Sequence, residues 1–209
     1  MRDSYHHGDL ARALVDEAVR MIEAEGARSF SLRGCARALG VDVAAVYRHF
    51  ASKEVLVSAA CDHGSAELMR RMEESIAVLP VRSPEAVFIA IGRGYVRFAV
   101  ERPLLYDVMF SQRARGNSDG GRIGVDSPGR TSSAAWQLLN ACLDELLESG
   151  SIDPGARDGA DLTAWATVHG LATLINRGAI EASGEARERT IERSCRTVLA
   201  GLRHLPRRG

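Results

Sequence analysis

Lysine is almost missing from this sequence: Lys53 stands alone among 27 basic residues, the rest being arginine. A high-GC coding bias gives the same skew, so this absence excludes nothing by itself. Net charge is missing as well. The 27 Lys and Arg are balanced by 27 Asp and Glu, which leaves no global field to attract nucleic acid or a membrane surface. Paired cysteines are absent too. Cys35, Cys61, Cys142 and Cys195 show no Cys-x-x-Cys spacing and sit in apolar helical contexts. That argues against a zinc or disulfide framework and for buried thiols, with a redox sensor as the lesser alternative. No apolar run approaches the roughly 18 residues that span a bilayer. The opening MRDSYHHGDL has no apolar stretch and no cleavage signature. No signal peptide and no membrane partner are expected, and the expected location is cytoplasmic.

Catalytic patterns are lacking. No Ser/His/Asp or Cys/His set has catalytic spacing, no glycine-rich loop follows a strand, and no carboxylate pair stands out. Neither an enzyme nor a cofactor is expected. His6, His7 and Asp9 could suggest a metal, but a histidine pair in a polar arm is ordinarily solvated. No metal site is expected, and the arm could instead touch DNA through Arg2. Strand alternation of useful length and internal repeats are also absent.

What remains is helix after helix. The apolar share is 45% of 209 residues, enough to bury a core in one large or two small domains. From Asp9 to Glu25, Leu10, Leu14, Ala18, Met21 and Ile22 make a helical face that Gly26 stops. Ser31 is placed to cap a helix with Leu32, Cys35, Ala36 and Leu39 on one stripe, and Gly40 ends it. A short helix from Ala44 to Phe50 follows, with Asp42 or a neighbour as cap. Ser52 opens a long helix to about residue 79, tracked by Val55, Leu56, Ala59, Ala60, His63, Leu68, Met72 and Ile76. Ser83-Pro84-Glu85 opens another that runs to Pro103. The piece LLYDVMF is short and apolar. Residues 111–130 are rich in Gly, Ser and Arg without periodicity, and read as an exposed loop. Helices resume over 132–149, about 158–181 and 186–205. The fold class is all-α with about nine helices. Residues 1–55 form an N-terminal three-helix domain, linked by helix 52–79 to a larger helical domain, 56–209.

The stretch GVDVAAVYRHF (40–50) carries the chemistry. A short helix stops at Gly40, the chain turns, and another short helix starts, which is a helix-turn-helix whose second helix enters the DNA major groove. Val43, Ala44 and Ala45 give it a smooth front that can approach base edges or a thymine methyl. Tyr47 and His49 can donate to phosphates, and Arg48 can reach a phosphate or a guanine. Lys53 adds a cation at a helix N-terminus, while Val46 and Phe50 face the core. Charge counting does not help. In residues 1–55, Arg2, Arg12, Arg20, Arg28, Arg33, Arg37, Arg48 and Lys53 meet eight carboxylates. A helical hairpin with solvated polar residues therefore fits these observations as well.

The string FSLRGCARALGVDVAAVYRHFASKEVL resembles the DNA-binding domain of the TetR family of bacterial transcriptional repressors, over about residues 7–60. The resemblance implies an all-helical homodimer with a variable C-terminal ligand-binding and dimerisation domain. It implies a DNA interface lined by Arg33, Ala44, Ala45, Tyr47, His49 and Lys53, to which the residue reading adds Ser31, Val43 and Arg48. Family members often carry an acidic and a branched residue where Gly34 and Cys35 stand. Gly34 should weaken its helix by up to about 1 kcal/mol relative to alanine.

A shorter string, WATVHGLATL (165–174), is similar to the Trp-x-x-x-His-Gly signature of one C-terminal subgroup. Trp165 and His169 share a helix face, and Gly170 should let another helix pack close. They either line a ligand cavity or serve only core or dimer packing.

These readings imply a ligand-responsive regulator, a repressor released from a palindromic double-stranded DNA operator by a small apolar or aromatic effector. The alternative is a helical sensor or carrier whose helix-turn-helix no longer acts on DNA. Expected effector-lining residues are Phe88, Tyr95, Phe98, Met109, Trp136, Trp165 and His169, with Tyr95 or His169 as polar anchor. Stripes Leu162, Ala166, Leu171, Leu174, Ile175 and Ile191, Cys195, Val198, Leu199, Leu202 should form a four-helix homodimer interface. The helix from Ser52 should carry the signal by tilting, and loop 111–130 should gate entry.

Overall fold

The computed structural model describes residues 7–28, 30–114, 133–181 and 183–203. Nine α-helices and a short 3-10 helix account for it, without strands among the described residues. They are α1 (His7–Glu25), α2 (Leu32–Leu39), α3 (Val43–His49), α4 (Lys53–Ala77), α5 (Pro84–Glu101), α6 (Pro103–Ala114), α7 (Ala134–Glu148), the 3-10 turn (Pro154–Ala156), α8 (Ala160–Asn176) and α9 (Gly184–Arg203). The chain divides into two compact units, Met1–Ala66 with Arg102–Asp126, and Glu67–Glu101 with Ser127–Gly209. It crosses between them inside α4, and again where Arg102 alone separates α5 from α6.

The first unit packs α2, α3 and α6 on α1. Its core holds Leu14 and Ile22 of α1, Phe30, Cys35 of α2, Val46 of α3, Leu56 of α4, and Leu105 and Met109 of α6, all at most 2% exposed. LLYDVMF is thus no isolated apolar piece but the body of a 12-residue helix. Pro103 occupies its first position, where a missing N–H costs nothing. Glu23 of α1 reaches across to accept from the Leu105 N–H at 2.8 Å. α6 also takes in residues 111–114, which the composition had assigned to a loop; the remainder of that loop, 115–130, lies outside the described residues. Gly64 lets α4 meet α6 closely, since a Cβ there would stand 2.6 Å from the Met109 Sδ and 3.1 Å from Leu105.

The second unit is built on α5, with eleven of its eighteen residues buried. It packs against α7, α8 and α9. Gly94 admits the backbone of α4: a Cβ would lie 2.6 Å from the Arg71 carbonyl oxygen and 2.6 Å from the Met72 Cα. At Gly92 a Cβ would lie 2.6 Å from the Cys195 Sγ. Ion pairs cross the helices, Arg93 with Glu188 and Arg97 with Glu188, both 2.9 Å, and Arg71 with Glu101 at 2.7 Å.

This packing corrects two expectations. Ile191, Cys195, Leu199 and Leu202 of α9 are buried within the protomer itself, so most of that stripe is not available to a second subunit; Val198 is half-buried. One apolar face on α9 is taken up by the unit's own core. On α8, Leu171 is buried while Ala166 and Leu174 are exposed. Gly170 does not admit a neighbouring helix of the protomer, because a Cβ there would meet nothing within 4 Å. Among the described residues, no helix is long and apolar enough to cross a membrane.

Candidate nucleic-acid interface and effector site

The turn between α2 and α3 is set by local chemistry. Ser31, in extended conformation, caps α2 by accepting from the Gly34 N–H at 3.0 Å. Gly40 closes that helix in the left-handed region at φ 65°. There a side chain would be strained. The Val41 N–H returns to the Ala36 carbonyl at 3.0 Å. Asp42 then caps α3 through the Ala44 N–H at 2.7 Å. Beyond α3, Phe50 leaves the helix in extended conformation, and Ser52 Oγ accepts from the Val55 N–H at the start of α4. Val46 and Phe50 anchor α3 from below, at 0% and 9% exposure.

The opposite face of α3 is open. Ala44, Tyr47 and Arg48 are exposed, and Val43, Ala45 and His49 are half-buried. Tyr47 is 50% exposed. Arg33 and Arg37 of α2 and Arg28 before it are exposed as well. Lys53 is more constrained than its sequence position suggests. Its ammonium donates to the Arg28 carbonyl at 3.2 Å and sits 5.6 Å from the centre of the Phe30 ring. One of its three N–H groups is thereby engaged.

Placement answers what counting could not. Three carboxylates of α1 have partners away from the turn between α2 and α3: Glu17 pairs with Arg20 at 2.6 Å, Asp16 lies 4.0 Å from Arg12 and 3.9 Å from His63 of α4, and Glu23 caps α6. Asp42 is held as a cap. From residue 26 to 55, five cations (Arg28, Arg33, Arg37, Arg48, Lys53) face two carboxylates, Asp42 and Glu54. Arg28 and Arg37 were not singled out by the sequence reading. Their signal was their position flanking the turn, hidden in a balanced sum.

In the second unit, four of the expected effector-lining side chains form one series of contacts. The Tyr95 hydroxyl and His169 Nδ1 are 2.9 Å apart. The His169 ring stacks on Trp165 at 4.7 Å and 29°. Trp165 meets Trp136 edge-on at 6.1 Å. Tyr95 and Trp136 are buried, and Trp165 and His169 half-buried. Burial holds the His169 pKa below the usual imidazole value, which favours a neutral ring able to donate at one nitrogen and accept at the other. Phe88 and Phe98 lie in the α5 core at 4% and 0% exposure. Met109 belongs to the first unit, where its sulfur packs over Gly64. The thiols of Cys35, Cys142 and Cys195 are pushed up by burial to about 11, 12 and 11. These thiols stay protonated near neutrality and are poor nucleophiles there. The residues Arg2 and His6 lie outside the described residues, as does the side chain of His7.

Known proteins share both parts. The family model "Bacterial regulatory proteins, tetR family" matches residues 14–60, and "Tetracyclin repressor-like, C-terminal domain" matches residues 88–198. The uncharacterized HTH-type transcriptional regulator YobS of Bacillus subtilis (strain 168) is 22% identical over 191 residues, 91% of each chain. Among solved structures, a protein of unknown function from Rhodococcus sp. RHA1 aligns with a TM-score of 0.77 at 28% identity, covering 97% of this chain and 100% of the other. The TetR family transcriptional regulator PfmR from Thermus thermophilus shares the fold, with a TM-score of 0.60 at 19% identity, 91% of this chain and 99% of that one. With a helix-turn-helix over 32–49 and a family C-terminal domain covering more than half the chain, this protein belongs to the TetR family of transcriptional regulators.

Proposed function

We propose that this TetR-family regulator is a ligand-controlled repressor, released from a palindromic operator by a small apolar or aromatic effector. The observation that carries the DNA half is the open face of α2 and α3, with five cations against two carboxylates and an exposed Tyr47. Phosphate contacts fall to Arg33, Tyr47, His49 and Lys53, and to Ser31, whose hydroxyl caps α2 and keeps a proton to donate. Val43, Ala44, Ala45 and Arg48 face the bases. Residues 1–55 act on DNA, and residues 56–209 bind the effector and dimerise.

The effector half rests on Tyr95, Trp136, Trp165 and His169. Flat rings with a neutral polar pair among them suit an uncharged ligand with an aromatic or apolar body. Phe88 and Phe98 shape the wall of that region, and Met109, packed in the first unit's own core, is left out of it. Dimers are typical of the family. We assign the interface here to what α8 and α9 leave uncovered: Ala166, Gly170 and Leu174 on one, Thr197 and Ala200 on the other. The side chains of Arg189, Glu192, Arg193 and Arg196 share that open face of α9 with Thr197 and Ala200. An isologous contact then sets the half-site spacing.

The test is a DNA-shift titration on the region upstream of its own gene, with sedimentation on the same sample. A dimer binding that region tightly, and sites lacking a palindrome weakly, is the expected result. A monomer at micromolar concentration, or equal affinity for all DNA, would sink the reading.

A further inference from the structure

Which base contacts can α3 make? The helix has seven residues, and its inner face is fixed by Val46. Along the solvent side the first three side chains, Val43, Ala44 and Ala45, contain no hydrogen-bonding group. The N-cap Asp42 does, but its Oδ1 is held by the Ala44 N–H at 2.7 Å. The side chains of Val43, Ala44 and Ala45 can therefore contribute only shape and apolar contact, and the base-edge group suited to that is the thymine methyl. Side-chain donors toward base edges come from the last turn, Tyr47, Arg48 and His49. His49 is half-buried. Arg48 is exposed and lies four residues from Ala44, on the same face. No carboxylate among the described residues is paired with it, whereas Arg12 and Arg20 of α1 are each held by an acid one turn away. A guanidinium with its fork open matches the O6 and N7 acceptors of guanine.

We infer that α3 reads its half-site by two chemistries: Ala44, flanked by Val43 and Ala45, selects thymine through its C5 methyl, and Arg48 selects one guanine within a turn of the helix from it. The proposal rests on the DNA-binding reading above and divides the labour there. Arg33, Tyr47, His49 and Lys53, joined by Arg28 and Arg37, fix the helix on the backbone, and Arg48 stays with the bases. The operator should then be defined by thymine and guanine on the strand that faces α3, and indifferent to exchanges that spare those two groups.

The experiment begins by selecting binding sites from random duplex DNA with the full-length protein. The selected site is then altered chemically, so that the protein and its folding are untouched. Replacing each thymine by deoxyuridine removes only the methyl. Replacing each guanine by 7-deazaguanine removes only the N7 acceptor. We expect deoxyuridine at one or two positions per half-site to weaken binding about fourfold each, the worth of one buried carbon, and 7-deazaguanine at one position to weaken it by about fivefold or more. In a second arm, Arg48→Ala should lose preference at the guanine position alone and become insensitive to 7-deazaguanine there. Ala44→Ser should lose sensitivity to deoxyuridine. Silent deoxyuridine at every thymine would overturn the methyl half. An Arg48→Ala protein that keeps the same selected sequence, while its salt slope falls by about one, would make Arg48 a phosphate contact and overturn the guanine half. If the wild-type protein enriches no sequence at all, the DNA-binding reading itself fails and this inference falls with it.

Discussion

The two units use arginine in opposite ways. In the second, arginines tie helices together: Arg93 and Arg97 of α5 both reach Glu188 of α9, Arg203 of α9 reaches Glu85 of α5 at 3.3 Å, and Arg157 bonds Asp144 of α7 at 2.8 Å. Ser151 also donates to Glu85 at 2.7 Å, and chiefly that bond holds its carboxyl below the usual range, with Arg203 adding to it. In the first unit, Arg28, Arg33, Arg37 and Arg48 around the helix-turn-helix stand exposed. The same residue type ties helices together in one unit and is left open around the helix-turn-helix of the other. A half-exposed ion pair contributes at most about 1 kcal/mol, so the closed arginines set helix register more than they stabilise. The open ones cost little in isolation and gain when phosphates displace their counterions.

The largest expected effect comes from breaking the open side. Arg33→Ala with Arg37→Ala should lower operator affinity by about a hundredfold, in the range of interface hot spots. The slope of log affinity against log salt should fall by about two, with thermal stability unchanged. Arg97→Ala is the control from the closed side: affinity and salt slope should hold, and stability should drop by less than about 1 kcal/mol. Titrations at several salt concentrations check both. If Arg97→Ala moves the salt slope as much as the α2 pair does, the division between the units is false.

Next in size is the packing of the closed unit. Gly94→Ala places a methyl 2.6 Å from backbone atoms of Arg71 and Met72, which cannot rotate away as a side chain would. Overpacking of this kind costs about 1–3 kcal/mol, and denaturant melts should show it. Gly170→Ala is the contrast. Nothing lies within 4 Å, so the protomer should gain up to about 1 kcal/mol from helix propensity. A weaker dimer in the same variant, seen by sedimentation, would place Gly170 at the interface between copies.

What was legible in the sequence, and what was not, follows the range of the interactions. Ser31, Gly40, Asp42 and Ser52 act within four residues of themselves, so the helix-turn-helix could be read in order. α6 escaped because its first turn is satisfied by Glu23, 82 residues earlier. The stripe on α9 was correctly seen as apolar, but periodicity reports that a face is buried and not against what. The pairing of Arg97 with Glu188 spans 91 residues, which no count of charges could show. The ring series in the second unit was half legible. The Trp165–His169 spacing placed two members on one face, whereas Tyr95 and Trp136 joined them only through the packing of α5 and α7.

A smaller effect concerns pH. Burial depresses the His169 pKa, so the folded protein holds this ring neutral where the unfolded chain would protonate it. Above the ordinary imidazole value both states are neutral, and the site's full stability is present. As pH falls below about 6.5 the unfolded state gains the proton first, and stability declines until pH reaches the lowered folded value. Thermal melts at pH 7.5 and 5.5 should show a smaller loss in His169→Phe than in the parent. Tyr95→Phe, which removes the 2.9 Å bond to His169, should cost about 1 kcal/mol at pH 7.5. An identical pH loss in parent and His169→Phe would show that this ring is not the desolvated group.

The smallest expected change is at Gly34, and it separates propensity from packing inside the open unit. By propensity alone, Gly34→Ala in α2 should stabilise by up to about 1 kcal/mol. The structure opposes that gain. A Cβ at residue 34 would stand 3.0 Å from the Met21 Cε and 3.1 Å from the Ser31 Oγ. Met21 is a flexible thioether that can swing aside. Ser31 cannot do so freely, because the same oxygen caps α2 through the Gly34 N–H, and loss of such a cap costs about 1 kcal/mol. The two effects are of equal size and opposite sign. The net stability change should lie within about 0.5 kcal/mol of zero, while operator affinity falls modestly because Ser31 and Arg33 shift with the cap. Measured against Met21→Ala alone, which carries the cost of the lost methionine packing, adding Gly34→Ala meets no methionine contact, so the difference between the two isolates propensity against the cap. Urea melts of the single and double variants, with operator titrations alongside, decide the matter. A full gain of about 1 kcal/mol in the single variant, with affinity intact, would mean that the cap yields without cost and that Gly34 is merely a weak helix residue.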